Sequence, residues 1–212
     1  MPIAGQLPGA ALRDLFGDID IYLFDQIARG RFDHRRRVLD AGCGAGRNLR
    51  YFLAHDFDCH GIDRDAGAIA QLRRDAQRLG RGDADDRFIV GGVESLPWSD
   101  GAFDAVISSA VLHFADDRQQ FDRMVAEMWR VLAPGGLLFV RLASTIGLPG
   151  FGALSGQRVR LPDGSDRFVV DEAMLLESTA QFGGRLADPL KTTNVQNLRA
   201  MTTWCVLKSN AP

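Results

Sequence analysis

Short apolar runs alternate with helix-length amphipathic stretches along this chain, and few folds accommodate that regularity. The segments "RVLDAG" (37 to 42), "FDCHGID" (57 to 63), "RFIVGG" (87 to 92), "FDAVISSA" (103 to 110) and "GGLLFVRLA" (135 to 143) each read as a buried strand. Between them, "RNLRYFLAH" gathers Leu49, Phe52 and Leu53 on one helical face, and "AGAIAQLRRDAQRL" gathers Ile69, Leu72, Ala76 and Leu79. "DRQQFDRMVAEMWRVL" does the same with Phe121, Met124, Val125, Met128 and Leu132. Strand, helix, strand with right-handed crossovers makes a doubly wound, mostly parallel α/β sheet.

The two ends depart from this rhythm. "RVRLPDGSDRFVV" (158 to 170) reads as a hairpin turning at Pro162, Asp163 and Gly164, and "DEAMLLESTAQF" (171 to 182) as a helix capped by an acid and stopped by Gly183 and Gly184. "RLADPLKTT" and "MTTWCVLKS" follow with no helix between them, so they are expected to pair as an antiparallel hairpin at the sheet edge, bringing the strands to seven. Before the first strand, Leu12, Leu15, Phe16, Ile19, Leu23 and Ile27 recur at helical spacing and predict a separate N-terminal layer, residues 1–34, on the same domain as 35–212.

A chain of 212 residues supplies one well-buried core, and no linker divides its composition, so one domain is expected. A formal charge of -2 lacks the positive excess that nonspecific phosphate binding requires, which argues against a nucleic-acid partner. The first residues have no basic head followed by an apolar run, and no segment reaches the roughly 18 apolar residues a membrane helix needs. A soluble, cytoplasmic protein with no membrane partner is the expectation. Cys43, Cys59 and Cys205 are odd in number and lack metal-ligand spacing, which favours small apolar filling over a zinc or redox role, and no metal is expected.

"VLDAGCGAGRN" (38 to 48) runs from the first strand into Gly42, Gly44 and Gly46. In an open parallel sheet, ligands sit beyond the carboxyl ends of the strands, and these residues lie there. Glycine allows a sharp turn with positive φ and brings bare backbone against a ligand, while a helix starting near Arg47 points unpaired amides at it. The spacing G-x-G-x-G differs from the G-x-G-x-x-G of pyrophosphate-binding dinucleotide enzymes. Asp63, about 20 residues on at the end of the second strand, is placed to accept hydrogen bonds from both hydroxyls of a ribose, which points to a nucleoside. Asp65 is the better cap for the helix that follows.

With these residues the chain resembles the class I S-adenosylmethionine (SAM) dependent methyltransferases. "VLDAGCGAGRN" is similar to their first motif, "GIDRD" to the acidic turn after the second strand, and "VGGVESLPWSDGAFDAVISSAVLHF" and "MWRVLAPGGLLFV" to the elements from the third strand to the fifth, so the likeness covers about 36 to 143. It implies a Rossmann-like sheet of seven strands with an antiparallel C-terminal hairpin strand, and a SAM-binding domain over 35–212 with a hairpin insertion near 158–170. It also implies that Gly42, Cys43, Gly44 and Gly46 pass under the methionine part of SAM by their backbone, that Asp40 supports the loop and the ammonium, and that Asp63 takes the ribose hydroxyls. Arg64 would flank the adenine, Val93, Glu94 and Ser95 would line its other edge, and Ser108 and Ser109 would offer carbonyls to the amino group. One position departs from the pattern: Gly92 stands where many members carry an acid for the adenine amine, so that contact passes to the backbone near Val93, to Glu94, or is lost.

A sulfonium methyl is electrophilic, so the protein's task is to align a nucleophile in line with the carbon–sulfur bond and exclude water; a base helps only when the acceptor must lose a proton. His113, just beyond the fourth strand, is the candidate base, with a polar helix-start residue as the plain alternative. Tyr22 and Asp25 lie in the N-terminal layer, which is placed to fold over the cofactor, although core packing with the hydroxyl at the rim is the favoured reading of Tyr22. Arg47 suits the SAM carboxylate, an anionic acceptor, or a surface ion pair; Trp98, Phe114 and Phe151 suit an acceptor wall or the core; "HRRR" (34 to 37) suits a solvated approach to the first strand. With no added domain and no basic groove, the expected function is methyl transfer to a small molecule, with thiols, tellurite or similar acceptors as a narrower match. A protein or RNA methyltransferase, a SAM-binding regulator without turnover, and a nicotinamide oxidoreductase are the rivals. The missing acid-Pro-Pro-Tyr signature argues against amide and base nitrogens, and the glycine spacing against nicotinamide.

Overall fold

A computed structural model describes residues 8–80 and 84–210. Two helices, α1 (Pro8–Phe16) and α2 (Ile21–Ala28), precede the first strand. Then come β1 (Arg37–Ala41), α3 (Arg50–Ala54), β2 (Asp58–Asp63), α4 (Ala66–Arg78), the single turn α5 (Ala84–Arg87), β3 (Phe88–Val90), β4 (Phe103–Ser109), α6 (Arg118–Val131) and β5 (Leu132–Ser144). The chain continues with β6 (Gln157–Arg160), β7 (Asp166–Val169), α7 (Glu172–Gln181), β8 (Gly184–Leu186), β9 (Lys191–Val195) and β10 (Arg199–Lys208).

The main sheet is eight-stranded in the order β3-β2-β1-β4-β5-β10-β8, with β9 also paired to β10, and β6 and β7 form a separate hairpin. Strands β1 to β5 are parallel, and β10 runs antiparallel to β5 from Ala200 opposite Ser144 to Leu207 opposite Leu137. Successive strand residues feed opposite faces. Leu39, Val106, Leu138, Val140 and Trp204 join α6 and α7 in one core, while Val38, Ala105, Ile107, Phe139 and Cys205 join α2, α3 and α4 in the other. Both faces are covered, so the central strands β1, β4 and β5 are buried along most of their length rather than at alternate residues. The order reverses beside β1, which pairs with β2 on one side and β4 on the other, and a crevice opens where the two crossovers diverge.

The sheet class is as expected, with three differences in detail. The last hairpin is a trio: Pro189 cannot donate to a ladder, so "RLADPLKTT" splits into β8 and β9, which line the same side of β10 end to end. The N-terminal layer is two helices separated at Gly17 (φ 61), with Leu12 56% exposed rather than packed. Leu79 is 48% exposed, because α4 ends at Arg78 and Gly80 (φ 71) turns the chain away. Residues 1–7 of the expected N-terminal layer lie outside the described residues.

Candidate functional site

The first crossover builds the floor of the crevice. Gly42 (φ 87), Gly44 (φ 50) and Gly46 (φ 84) all have left-handed backbones, but they face different surroundings. A Cβ on Gly42 would lie 2.3 Å from Cγ2 of Val111 and one on Gly46 2.4 Å from Cδ1 of Leu72, whereas one on Gly44 would meet nothing within 4 Å. The outer glycines are thus required by packing, and Gly44 borders open space. The helix begins at Arg50 rather than near Arg47; the Leu49 N–H bonds Gly46 O, so a turn intervenes and the expected amide-bearing helix start is displaced. Cys43 is buried, with burial pushing its thiol pKa well up, so it packs as an apolar residue.

Two carboxylates flank this turn. Asp63 accepts from the N–H of Gly44 at 2.8 Å and from the N–H of Asp65 at 2.9 Å, tying the ends of β1 and β2 together. Asp65 caps α4 as expected, accepting from Gly67 and Ala68. Asp40 is 1% exposed, and neither of its carboxylate oxygens has a hydrogen-bond partner. Burial pushes its pKa up to about 7, with Arg47 opposing and Asp63 adding to the shift. A buried carboxylate without a partner is costly, which marks it as a group shaped for something else to meet.

At the ends of β2 and β3, Arg64 and Glu94 form a close ion pair. A Cβ on Gly92 would lie 2.6 Å from Oε2 of Glu94, so the glycine leaves room that the Glu94 carboxylate fills. Burial alone would raise the Glu94 pKa, and hydrogen bonds from its own backbone and from Arg64 overturn that and leave it below the usual range. Gly42, Asp63, Arg64, Val93, Glu94 and Val111 line a cavity of about 330 Å³ here. Ser95 is exposed and does not line it. Ser108 and Ser109 end β4 in buried positions, followed by Ala110 at φ 64, a strained conformation for a residue with a side chain, on the cavity wall.

Asp20 is the residue that sequence reasoning missed. It is 3% exposed, caps α2 through the Tyr22 N–H at 2.9 Å, and accepts from Ser109 Oγ at 2.8 Å and Arg141 at 3.2 Å. Its own N–H donates to Asn48. One residue therefore joins the N-terminal helices to β4 and β5 by its side chain and to the end of the glycine turn by its backbone N–H. Only its capping position before "IYLF" is visible in the sequence. Arg47 belongs to the same cluster, donating to Ser109 Oγ at 3.3 Å.

A second cavity, of about 310 Å³, adjoins the first and shares Ala110 and Phe114 with it. His113 lines it and is 5% exposed, with Nδ1 unpartnered; burial, then the charges of Arg167 and Arg141, push its pKa down to about 3. The imidazole is therefore neutral and a poor proton acceptor, better suited to hydrogen bonding than to the expected work of a base. Tyr22 lines neither cavity: its hydroxyl is bonded to Thr193, and its ring lies under the Arg141 guanidinium at 5.1 Å. Asp25 pairs with Arg29 and Lys191. Of the candidate aromatics only Phe114 lines the cavities; Trp98 packs on His60 and Phe103, and Phe151 on a satellite cluster with Leu148 and Leu161. Arg37 of "HRRR" pairs with Asp104 at the opposite end of β1. A larger cavity of about 560 Å³ lies among α1, α3 and α4 and is lined by neither Asp40 nor Asp63.

Residues 39–140, which hold the glycine turn, both carboxylates, all of β2, β3 and β4 and most of β1 and β5, match the family described as "Methyltransferase domain". Residues 39–140 form a class I SAM-dependent methyltransferase domain. Among curated relatives, the malonyl-[acyl-carrier protein] O-methyltransferase of Enterobacter lignolyticus is 32% identical over 172 residues, 81% of this chain and 63% of that protein. The ajmaline N-methyltransferase of Rauvolfia serpentina is 35% identical over 108 residues, 50% of this chain and 35% of that protein. This chain thus spans less than two thirds of either relative. The solved magnesium protoporphyrin IX methyltransferase of Synechocystis, with bound S-adenosylhomocysteine, superposes with a TM-score of 0.65 at 18% identity, covering 97% of this chain and 89% of that one. The PH0226 protein of Pyrococcus horikoshii gives a TM-score of 0.68 at 16% identity, covering 97% and 100%.

The family's cofactor is SAM, and the residues of this domain fit it. Asp40 holds two orphaned carboxylate oxygens, the complement of an ammonium, and Gly44 offers backbone beside open space. No helix among the described residues is long and apolar enough to cross a membrane.

Proposed function

We propose that this protein transfers the methyl group of SAM to a small-molecule acceptor. The observation that carries the proposal is the pair of adjoining chambers, about 330 and 310 Å³, which meet at Ala110 and Phe114. One is lined by Gly42, the first residue of the glycine turn, and by Asp63, and suits the nucleoside; the other is of a size for a small acceptor rather than a folded chain. The names of the curated relatives, which act on oxygen and nitrogen in small or carrier-bound groups, support a small acceptor too.

In this reading bound SAM supplies an electrophilic methyl on sulfur, and the chain positions and shields it. Asp40 receives the ammonium, Asp63 the ribose hydroxyls, and the backbone of Gly42, Cys43, Gly44 and Gly46 lies along the amino-acid portion. Arg47 is near enough to Asp40 to influence its charge and suits the ligand carboxylate. Arg64 and Val93 flank the base, and Glu94, seated where a side chain at Gly92 would stand, supplies the acid for the adenine amine. The carbonyls of Ser108 and Ser109 suit the amino group. Residues 8–28 form a cap on the domain of 35–212, latched by Asp20. Alignment and exclusion of water supply the catalysis.

Calorimetric titration with SAM and with NADH tests the cofactor, and labelled SAM with a panel of thiols, oxyanions, phenols and carboxylates tests turnover. SAM binding with labelled product is expected. NADH binding without SAM binding would overturn the reading, and SAM binding with no product across the panel would favour a regulator.

Ionisation of Asp40 makes a further prediction. Its pKa is raised from an ordinary 3.8 to about 7, so its contribution to stability is present below 3.8 and is lost as pH rises through about 7. A ligand ammonium favours the ionised form, so binding below pH 7 should release a proton, and Asp40→Asn should abolish the release. Calorimetry at pH 6 in buffers of different ionisation heat measures it; equal proton release by the variant would remove Asp40 from the ammonium site.

A further inference from the structure

We propose that the second cavity takes a carboxylic acid as methyl acceptor, selected by Arg167 and Arg199; the inference rests on the methyl-transfer reading above. Three guanidinium groups, from Arg141 on β5, Arg167 on β7 and Arg199 on β10, line this chamber against one carboxylate, Asp163. Their engagements differ. Arg141 is held by Asp20 at 3.2 Å. Arg199 reaches Asp163 only at 3.5 Å, while Asp163 is also occupied by the N–H and hydroxyl of Ser165. Arg167 has no carboxylate partner among the described residues; it donates to the Asp166 carbonyl and lies 4.8 Å over the ring of Phe114, which with Ala110 is shared by the two chambers. A cation thus stands at the junction where methyl and acceptor must meet, with its charge unneutralised. Leu161, Val195 and Met201 line the same chamber with apolar surface, suited to the body of an organic acid.

The available bases point the same way. Thiols, phenols and amines must lose a proton to attack or soon after, and this chamber contains no lysine, cysteine or tyrosine to take one. His113 is buried beside two guanidinium groups, and Asp163 is engaged by Ser165 and Arg199. A carboxylate is already ionised at neutral pH and needs no base. Its oxygen forms a bond to the methyl carbon, the carbon–sulfur bond breaks with its electron pair passing to sulfur, and the products are a methyl ester and neutral-sulfur S-adenosylhomocysteine. No proton moves, and the carboxylate and sulfonium charges cancel. His113, neutral with a free Nδ1, is left to hydrogen-bond the acid.

The test uses the full chain with labelled SAM and matched series: octanoate, benzoate and cinnamate beside the corresponding primary amides, alcohols and thiols. Acids should be methylated, yielding base-labile esters that release labelled methanol. Arg167→Gln and Arg199→Gln should each raise the KM for the acid tenfold or more while leaving the Kd for SAM unchanged, and Arg167→Lys should recover part of the loss. If SAM binds but thiols, alcohols or amides are methylated in preference, or neither arginine variant moves the acid KM, the carboxylate inference fails and the methyl-transfer reading stands. If SAM does not bind at all, both fail. Unchanged SAM affinity in the variants separates loss of recognition from loss of fold.

Discussion

Gly42→Ala is expected to unfold at markedly lower denaturant than the parent, losing about 3 kcal/mol, because the backbone and the packing both oppose it. At φ 87 a side chain is strained wherever it points, and the new Cβ would lie 2.3 Å from Cγ2 and 2.8 Å from Cγ1 of Val111. Valine is branched at Cβ and cannot swing aside as a long side chain would. Adding Val111→Ala should therefore restore about 1 kcal/mol more than simple additivity allows. Gly44→Ala is the contrast: at φ 50 with nothing within 4 Å, it should cost the fold only about 1 kcal/mol while the methyl group intrudes on the ligand's space. Urea unfolding and SAM calorimetry on both variants decide the matter. Equal stability of Gly42→Ala and the parent would refute the packing role, and parental SAM affinity in Gly44→Ala would refute the bare-backbone floor.

Asp63→Ala should weaken SAM binding at least 100-fold, about 3 kcal/mol. The side chain serves twice: one oxygen holds the Gly44 N–H and the other the Asp65 N–H, and in the proposed complex both meet the ribose. Removing it leaves two amides without their acceptor and loosens the turn that underlies the amino-acid portion. Asp63→Asn retains one oxygen and should fall between the two. A calorimetric affinity for SAM in the alanine variant within threefold of the parent would exclude Asp63 from the site.

The parallel strands were legible because each is a short run with buried residues at its centre, and the glycine turn because positive φ is demanded at the alternate positions 42, 44 and 46. The cap at Asp65 was legible for the same reason. Pro189 could have been read as a breaker between β8 and β9, since its missing N–H is a local fact. By contrast, the pairing of Glu94 with Arg64, the depressed basicity of His113 and the hub at Asp20 follow from neighbours far along the chain. The displacement of α3 to Arg50 has a subtler source, a turn closed by Gly46 that helical periodicity does not report.

Sequence alone determined the parallel α/β sheet, the bare turn after β1 and the carboxylate one strand over, since each depends on residue type and short-range spacing. Only the tertiary structure decided that Arg141, Arg167 and Arg199, from β5, β7 and β10, face one chamber beside a neutral histidine. Such convergence depends on sheet register and on how the β6 and β7 hairpin seats against the end of β5, where each contact joins residues that no local pattern relates.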